Sequence, residues 1–304
     1  MFADFSTPAS PVLTTEDIVR EVKHLPSAPK VLPRLKQLLS DGNSAMHEIV
    51  ALIRLDPGIT ARVLQVSNSA YFAKGVRCFT VDEAVHRVGY DQIYELVSYA
   101  VASQVLVRPL NVYGIEADDL WRMSVACALS AEALAQCIGE DRNAAYTAGL
   151  LHCVGMVAID EWAQRHTRAL VLHVAPFPRE ASEGERAAFG FTQAETGGAL
   201  LHDWGFPESI TEPVRWQYAP RASASETRMA CLLFAAKWLR NTVCGVRAPL
   251  PAAAQLQPLG LAPAVLHGLA AEIALRLADV SSLLDTGEAD VPVRARFPAQ
   301  SWRR

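Results

Sequence analysis

Between Ala148 and Ile159 the sequence reads AGLLHCVGMVAI, an apolar helical run that ends at His152, turns at Gly155 and restarts. An imidazole beside a thiol at a helix end is a pair of metal-ligand types, and His152–Cys153 would favour a soft ion such as zinc. A structural zinc site usually takes four ligands, and the thioether of Met156 brings no anionic donor. Further along, His202-Asp203 is a literal His-Asp dipeptide, placed near a predicted helix end just before Gly205-Phe206-Pro207. No second histidine or acid stands at metal-binding spacing from it, so an exposed polar helix terminus is expected. Other chemistries lack their motifs: there is no GxSxG elbow, no P-loop and no GxGxxG. Asp160-Glu161 is an acidic pair, but adjacent helical residues do not face each other. Asp118-Asp119 reads as the start of the helix that carries Trp121.

The elements that must position these groups are helical throughout. Thr14 and Thr15, followed by Glu16 and Asp17, open a first helix with hydroxyl caps and acids near the positive end of the dipole. Pro29 and Pro33 stand near the start of a second, whose Leu32, Leu35, Leu38 and Leu39 share a face. Ser44 caps a third, with Ile49, Leu52 and Ile53 at helical spacing. Asp56-Pro57-Gly58 breaks the chain, and Ile59, Val63 and Val66 resume the stripe as far as Asn68-Ser69. Segments 81–88 and 93–106 read as helices joined across Gly89-Tyr90-Asp91. The stretch from Pro109 to Gly114 interrupts the pattern and marks a subdomain boundary. Beyond it, helices are predicted over 118–137, 143–152, 156–174, 192–204, 207–218, 226–239 and 263–280. Thr192 with Glu195 has capping-box spacing, and Pro207 suits a first helical position. The segment PFPREASEGER reads as a loop. No strand alternation and no repeat occurs. The expectation is an all-α chain in two packed helical subdomains, 14–110 and 115–285, with irregular tails at 1–13 and 286–304.

Composition narrows the function classes. Of 304 residues, 51% are hydrophobic and 20% charged, and the net charge is −4. That balance argues against a nucleic-acid partner, whose proteins usually show a basic excess. The one basic cluster, Arg294, Arg296, Arg303 and Arg304, reads as a solvated tail. The six cysteines form no CxxC pair and sit mostly in apolar contexts, as buried free thiols in a reducing compartment would. The opening MFADFSTPAS has no basic n-region or apolar h-region, and no run approaches the roughly 18 apolar residues of a bilayer span. A cytoplasmic protein with no membrane partner is expected.

The order of landmarks resembles the HDOD family, a helical output domain related to the HD phosphohydrolases. The stretch LPSAP (25–29) precedes a helix, LDPGITARVLQVSNSAYF (55–72) carries the family's DP…NSA core, and TVDEAVHRVGYDQI (80–93) its following helix pair. The second half continues the resemblance through DLWRMS, AYTAGLLHCVG, FGFTQAETGGALLHDWGFP and VRWQYAP, so that it runs from about Thr14 to Val280. Several landmarks have local physical reasons. Asp56 can cap the helix after it, Pro57 gives up no hydrogen bond at a first helical position, and Asn68 and Ser69 can bond carbonyls left open at a helix end.

The resemblance implies an HD-like C-terminal subdomain, and a working HD site needs hard oxygen and imidazole donors with open positions for phosphate. Position by position, those donors are gone. Met123 stands for the early histidine in W-x-H-S, His152-Cys153 for the His-Asp pair, and Met156 for the lysine of HD-x-G-K. Gln193 replaces a histidine ahead of Gly197, and Gln217-Tyr218 replaces a double histidine before Pro220. The late aspartate should fall in RMACLLFAAKWL, which offers only Ala235, Ala236 and Lys237. The expectation is therefore no catalytic residue, no metal and no cofactor, with His152 satisfied in a polar remnant and Cys153 as small core filler.

Three functions remain open on these residues. The resemblance implies a bacterial signal-transduction module acting through protein–protein interaction, with receiver, diguanylate cyclase or kinase proteins as partners in trans. The alternative is a small-molecule or nucleotide sensor using the vestigial pocket lined by Met123, His152, Cys153, Met156, Gln193, Gln217 and Tyr218, with Arg122 or Arg215 meeting a phosphate. Against it stands the reading that Met123 and Met156 have filled the cavity. Residual phosphohydrolase activity is the third.

Overall fold

The structure, a computed structural model, describes residues 13–22, 31, 38, 45–68, 77–89, 93, 109–166, 172 and 178–285. LPSAP, Ser69, nearly all of the helices expected near Pro29 and over 93–106, and the tails apart from Leu13 lie outside the described residues.

Short polar side chains start the helices of the first half as local chemistry dictates. Helix α1 (Thr15–Glu21) begins in a capping box between Thr14 and Asp17. Helix α2 (Met46–Ile53) is followed by α3 (Pro57–Ser67), where Asp56 Oδ1 accepts from Ile59 N at 2.9 Å and Pro57 opens the first turn. Thr80 accepts from Glu83 N at 3.0 Å and starts α4 (Val81–Val88). Each such cap is worth about 1 kcal/mol. Asn68 behaves differently from the expectation of a local cap. Its Nδ2 donates to Cys78 O at 2.8 Å and its Oδ1 accepts from Cys78 N at 2.7 Å, so its carboxamide ties the end of α3 to the chain entering α4.

The second half is built on α5 (Ala117–Ile138), α6 (Arg142–Leu151), α7 (Val154–Arg165), α8 (Pro178–Phe189), α9 (Gln193–Asp203), α10 (Glu208–Arg215), α11 (Thr227–Val243), a short α12 (Ala253–Leu256) and α13 (Pro263–Asp285). Two sequence-based expectations change here. PFPREASEGER is not a loop, because most of it lies in α8. Helix α11 runs four residues past the expected end at Leu239 and so includes Arg240 and Asn241. Pro207, expected inside a helix, is the N-cap residue of α10. Among the described residues there is no strand, only a single bridge between Leu110 and Ile115. The fold is all-α.

Helices α5, α6 and α11 form the centre, with α9 packed between α7 and α10. Close packing is possible because side chains are missing where backbones meet. A Cβ on Gly149 would lie 2.7 Å from Cys127 O, and one on Gly155 only 1.8 Å from Gln193 O. Gly155 therefore lets the start of α7 cross the start of α9 directly beside His152. Hydrogen bonds join the two halves: Trp121 Nε1 donates to Leu55 O at 3.0 Å, Tyr146 Oη to Arg54 O at 2.9 Å and Thr147 Oγ1 to Phe79 O at 2.9 Å. The boundary segment is fixed as well, by Val112 N on the buried carboxylate of Asp160 at 2.8 Å. No single helix among the described residues is long and apolar enough to cross a membrane.

Candidate functional site

His152 is the C-cap residue of α6 and is fully buried. Its Nδ1 lies 2.6 Å from Gly149 O, which can only accept, so Nδ1 carries the proton. Its Nε2 lies 2.7 Å from Nη1 of Arg240, which can only donate. The two contacts fix one neutral tautomer. Burial, then the nearby Arg240 and Lys237 charges, hold the imidazole well below its ordinary pKa. Cys153 Sγ sits 3.0 Å from the same Nε2, and burial pushes this thiol up, away from the thiolate that a metal would need.

Arg240 and Lys237 are three residues apart on α11 and reach the same centre. Nε and Nη2 of Arg240 both donate to Asn241 Oδ1, at 3.0 and 2.6 Å. Lys237 Nζ donates to Gln217 Oε1 at 2.7 Å and lies 4.2 Å from the centre of the Tyr218 ring, a cation–π contact. Gln217 then spends its Nε2 on His152 O and Val214 O, both at 2.9 Å. The lysine is almost wholly buried, and burial, helped by Arg240, lowers its pKa from 10.5 to about 7.

A carboxylate faces this charge from α8. Glu185 is 2% exposed, and its Oε2 accepts from Gln193 N at 3.0 Å. Burial raises its pKa to about 7, against the opposing pull of that backbone N–H, Lys237, Tyr113 and Tyr218. Gln193 Nε2 donates to Tyr218 Oη at 3.2 Å. Glu185 Oε1, Gln193 Oε1 and the Tyr113 hydroxyl remain buried with no well-formed hydrogen bond.

The residues singled out in the sequence thus separate. His152, Cys153, Gln193, Gln217 and Tyr218 converge with Lys237, Arg240, Glu185 and Tyr113. Met156 is buried in the core on α7, and Met123 packs half-buried against it on α5. It is Arg240, and not a methionine, that meets His152 Nε2. Of the seven expected pocket residues, Tyr218 alone borders an open cavity of about 510 Å³, which Arg215 and Lys237 also line. Arg122 stands apart, in a groove with Asp118 and Asp119. His202 and Asp203 are exposed at the end of α9, as expected. Asp56 and Pro57 serve as a helix start, far in sequence from the centre.

The donor set does not fit a divalent ion. The ring nitrogen left free by Gly149 faces a guanidinium, the Lys237 amine lies close by, and the neighbouring donors are a thiol and carboxamides. Among the described residues no three His, Cys, Asp or Glu side chains are grouped as a metal would require. Sequence reasoning missed Arg240, Glu185 and Tyr113. The signal that could have found the first was two cations, three residues apart, on the otherwise apolar helix LLFAAKWLR.

A family profile for the HDOD domain matches residues 25–220, well over half of the chain. The chain belongs to the HDOD family. An uncharacterized protein of Treponema pallidum (strain Nichols) is 27% identical over 205 residues, covering 66% of this chain and 39% of that protein. The chain therefore spans about two fifths of that curated relative's length. Among solved structures, the MmoQ response regulator of Methylococcus capsulatus str. Bath superposes with a TM-score of 0.66 at 20% identity, over 83% of this chain and 98% of that one. A virulence factor of Campylobacter jejuni gives 0.63 at 18% identity, over 87% and 100%. Both likenesses are to the HDOD fold as seen here, all-α and lacking strands among the described residues.

Proposed function

We propose that this HDOD protein is a non-catalytic bacterial signalling module, working in the cytoplasm by docking on a partner protein in trans. Family membership supports a signalling role, as does the likeness of its fold to a protein named as a response regulator. The observation that carries the non-catalytic part is Arg240 Nη1, 2.7 Å from His152 Nε2. A guanidinium cannot be displaced by a divalent ion without leaving a buried charge unpaired, and it offers no water to attack phosphate. Receiver, diguanylate cyclase and kinase proteins are the partner classes that the family suggests. Docking would be read out as a change in the angle between the two helical halves, across the contacts of Trp121, Tyr146 and Thr147.

The test pairs two measurements on the full chain. Crosslinking and affinity capture from the native cell should recover a protein of one of those signalling classes. Manganese-dependent hydrolysis of phosphate esters should be no faster than in the His152→Ala variant. Capture without any signalling protein would remove the docking part, and turnover lost in His152→Ala would remove the non-catalytic part.

A further inference from the structure

Lys237 is 4% exposed, yet its ammonium makes one hydrogen bond, to Gln217, and one ring contact, to Tyr218. No carboxylate among the described residues lies within ion-pair distance of it. Glu185 acts on it only from beyond ion-pair distance, and an ammonium can donate up to three hydrogen bonds, of which Gln217 takes one. The same side chain borders the open cavity of about 510 Å³, a size within the usual range for small-molecule sites.

The rest of the wall says what would fit. Trp216, Tyr218, Phe234 and Trp238 bring aromatic rings to it. Its other cations are already matched, Arg186 by Glu195 at 2.9 Å and Arg215 by Glu212 at 3.4 Å. Among these three side chains Lys237 alone has no carboxylate within ion-pair distance. Among its lining residues Leu250 is 37% exposed, and Ala219 and Ala252 are exposed as well.

We propose that this cavity binds a planar small molecule carrying a single oxyanionic group, a carboxylate or a phosphate ester, seated against Lys237 Nζ with its ring between the aromatic side chains. The site adjoins the His152 centre but is not that centre, which Arg240 fills. The anion supplies a partner at ion-pair distance, which Glu185 does not, and the rings supply an apolar surface for the body of the ligand.

Calorimetric titration of the full chain with 2-aminobenzoate, AMP and inorganic phosphate tests this, and the first two separate the carboxylate from the phosphate ester. One of them should bind at micromolar Kd, with inorganic phosphate at least about tenfold weaker. Lys237→Met should weaken binding by at least about tenfold. Ala252→Trp, which adds bulk at an exposed lining position, should do the same with the melting temperature unchanged, and it decides the matter if Lys237→Met does not fold. Absence of heat with all three probes, affinity unaltered by Ala252→Trp, or equal binding of phosphate alone would overturn the proposal. Docking is independent of it: a chain that captures its partner and binds no probe refutes this inference alone.

Discussion

Two dipeptides, each followed by glycine at the same distance, behave in opposite ways. His152-Cys153 leads to Gly155, and His202-Asp203 leads to Gly205. The second keeps the letters of a metal-binding pair, but both side chains are exposed at the end of α9. Gly205 follows with φ +80, a left-handed turn that leaves the helix. The first has a cysteine where the second has its aspartate, yet its histidine is buried and held at both ring nitrogens. Gly155 continues directly into α7 and makes room for the backbone of Gln193. Chemistry therefore follows burial and neighbours, not the spelling of the pair. In the buried centre the positive charge comes from α11 itself, through Arg240 and Lys237.

The sharpest way to break this comparison is at the glycine beside His152. Gly155→Ala should cost about 3 kcal/mol or more in denaturant unfolding, since the added carbon meets backbone that cannot give way. A cost within the scatter of surface substitutions would mean that α7 and α9 do not cross as described.

The buried charges should appear in the pH dependence of stability. Glu185 has its pKa raised from 4.5 to about 7, so its contribution is fully present below about 4.5 and is lost as pH rises to about 7. Lys237 has its pKa lowered from 10.5 to about 7, so its contribution is full above about 10.5 and is lost as pH falls to about 7. Their joint contribution is therefore lowest near neutrality, with swings on the order of 3 kcal/mol on each side. Urea unfolding across pH should show the alkaline rise flattened in Lys237→Met and the acid-side fall flattened in Glu185→Gln. Slopes identical to those of the parent chain would remove both groups from the interior.

His152→Ala should lose about 2–3 kcal/mol by leaving a cavity and stripping Arg240 and Gly149 of a partner. His202→Ala should change stability by less than about 0.5 kcal/mol, as exposed substitutions do. Equal costs at the two histidines would erase the distinction.

Much of the scaffold could be read from local chemistry, because caps and apolar stripes are local. Thr14, Asp56, Thr80 and Thr192 each bond a backbone N–H within three residues, and the sequence places them without a structure. What could not be read depends on partners distant in sequence. Helix α8 looks like a loop because it turns a glutamate inward, so hydrophobic periodicity misses it. Arg240 and Asn241 look like solvent-facing residues past a helix end, but each satisfies the other inside the core. Asn68 finds Cys78 across ten residues that local spacing does not connect. That His152 and Cys153 would lie at a helix end was legible, whereas the guanidinium of Arg240 that meets the His152 ring was not.

The central claim is that Arg240 holds the ring nitrogen a metal would take. Long-range proton–nitrogen NMR of His152 reads this directly, in the full chain, with and without added zinc. The account predicts a neutral ring protonated at Nδ1, with an Nε2 resonance that stays in place as zinc is added. An Nε2 resonance displaced by stoichiometric zinc would contradict it.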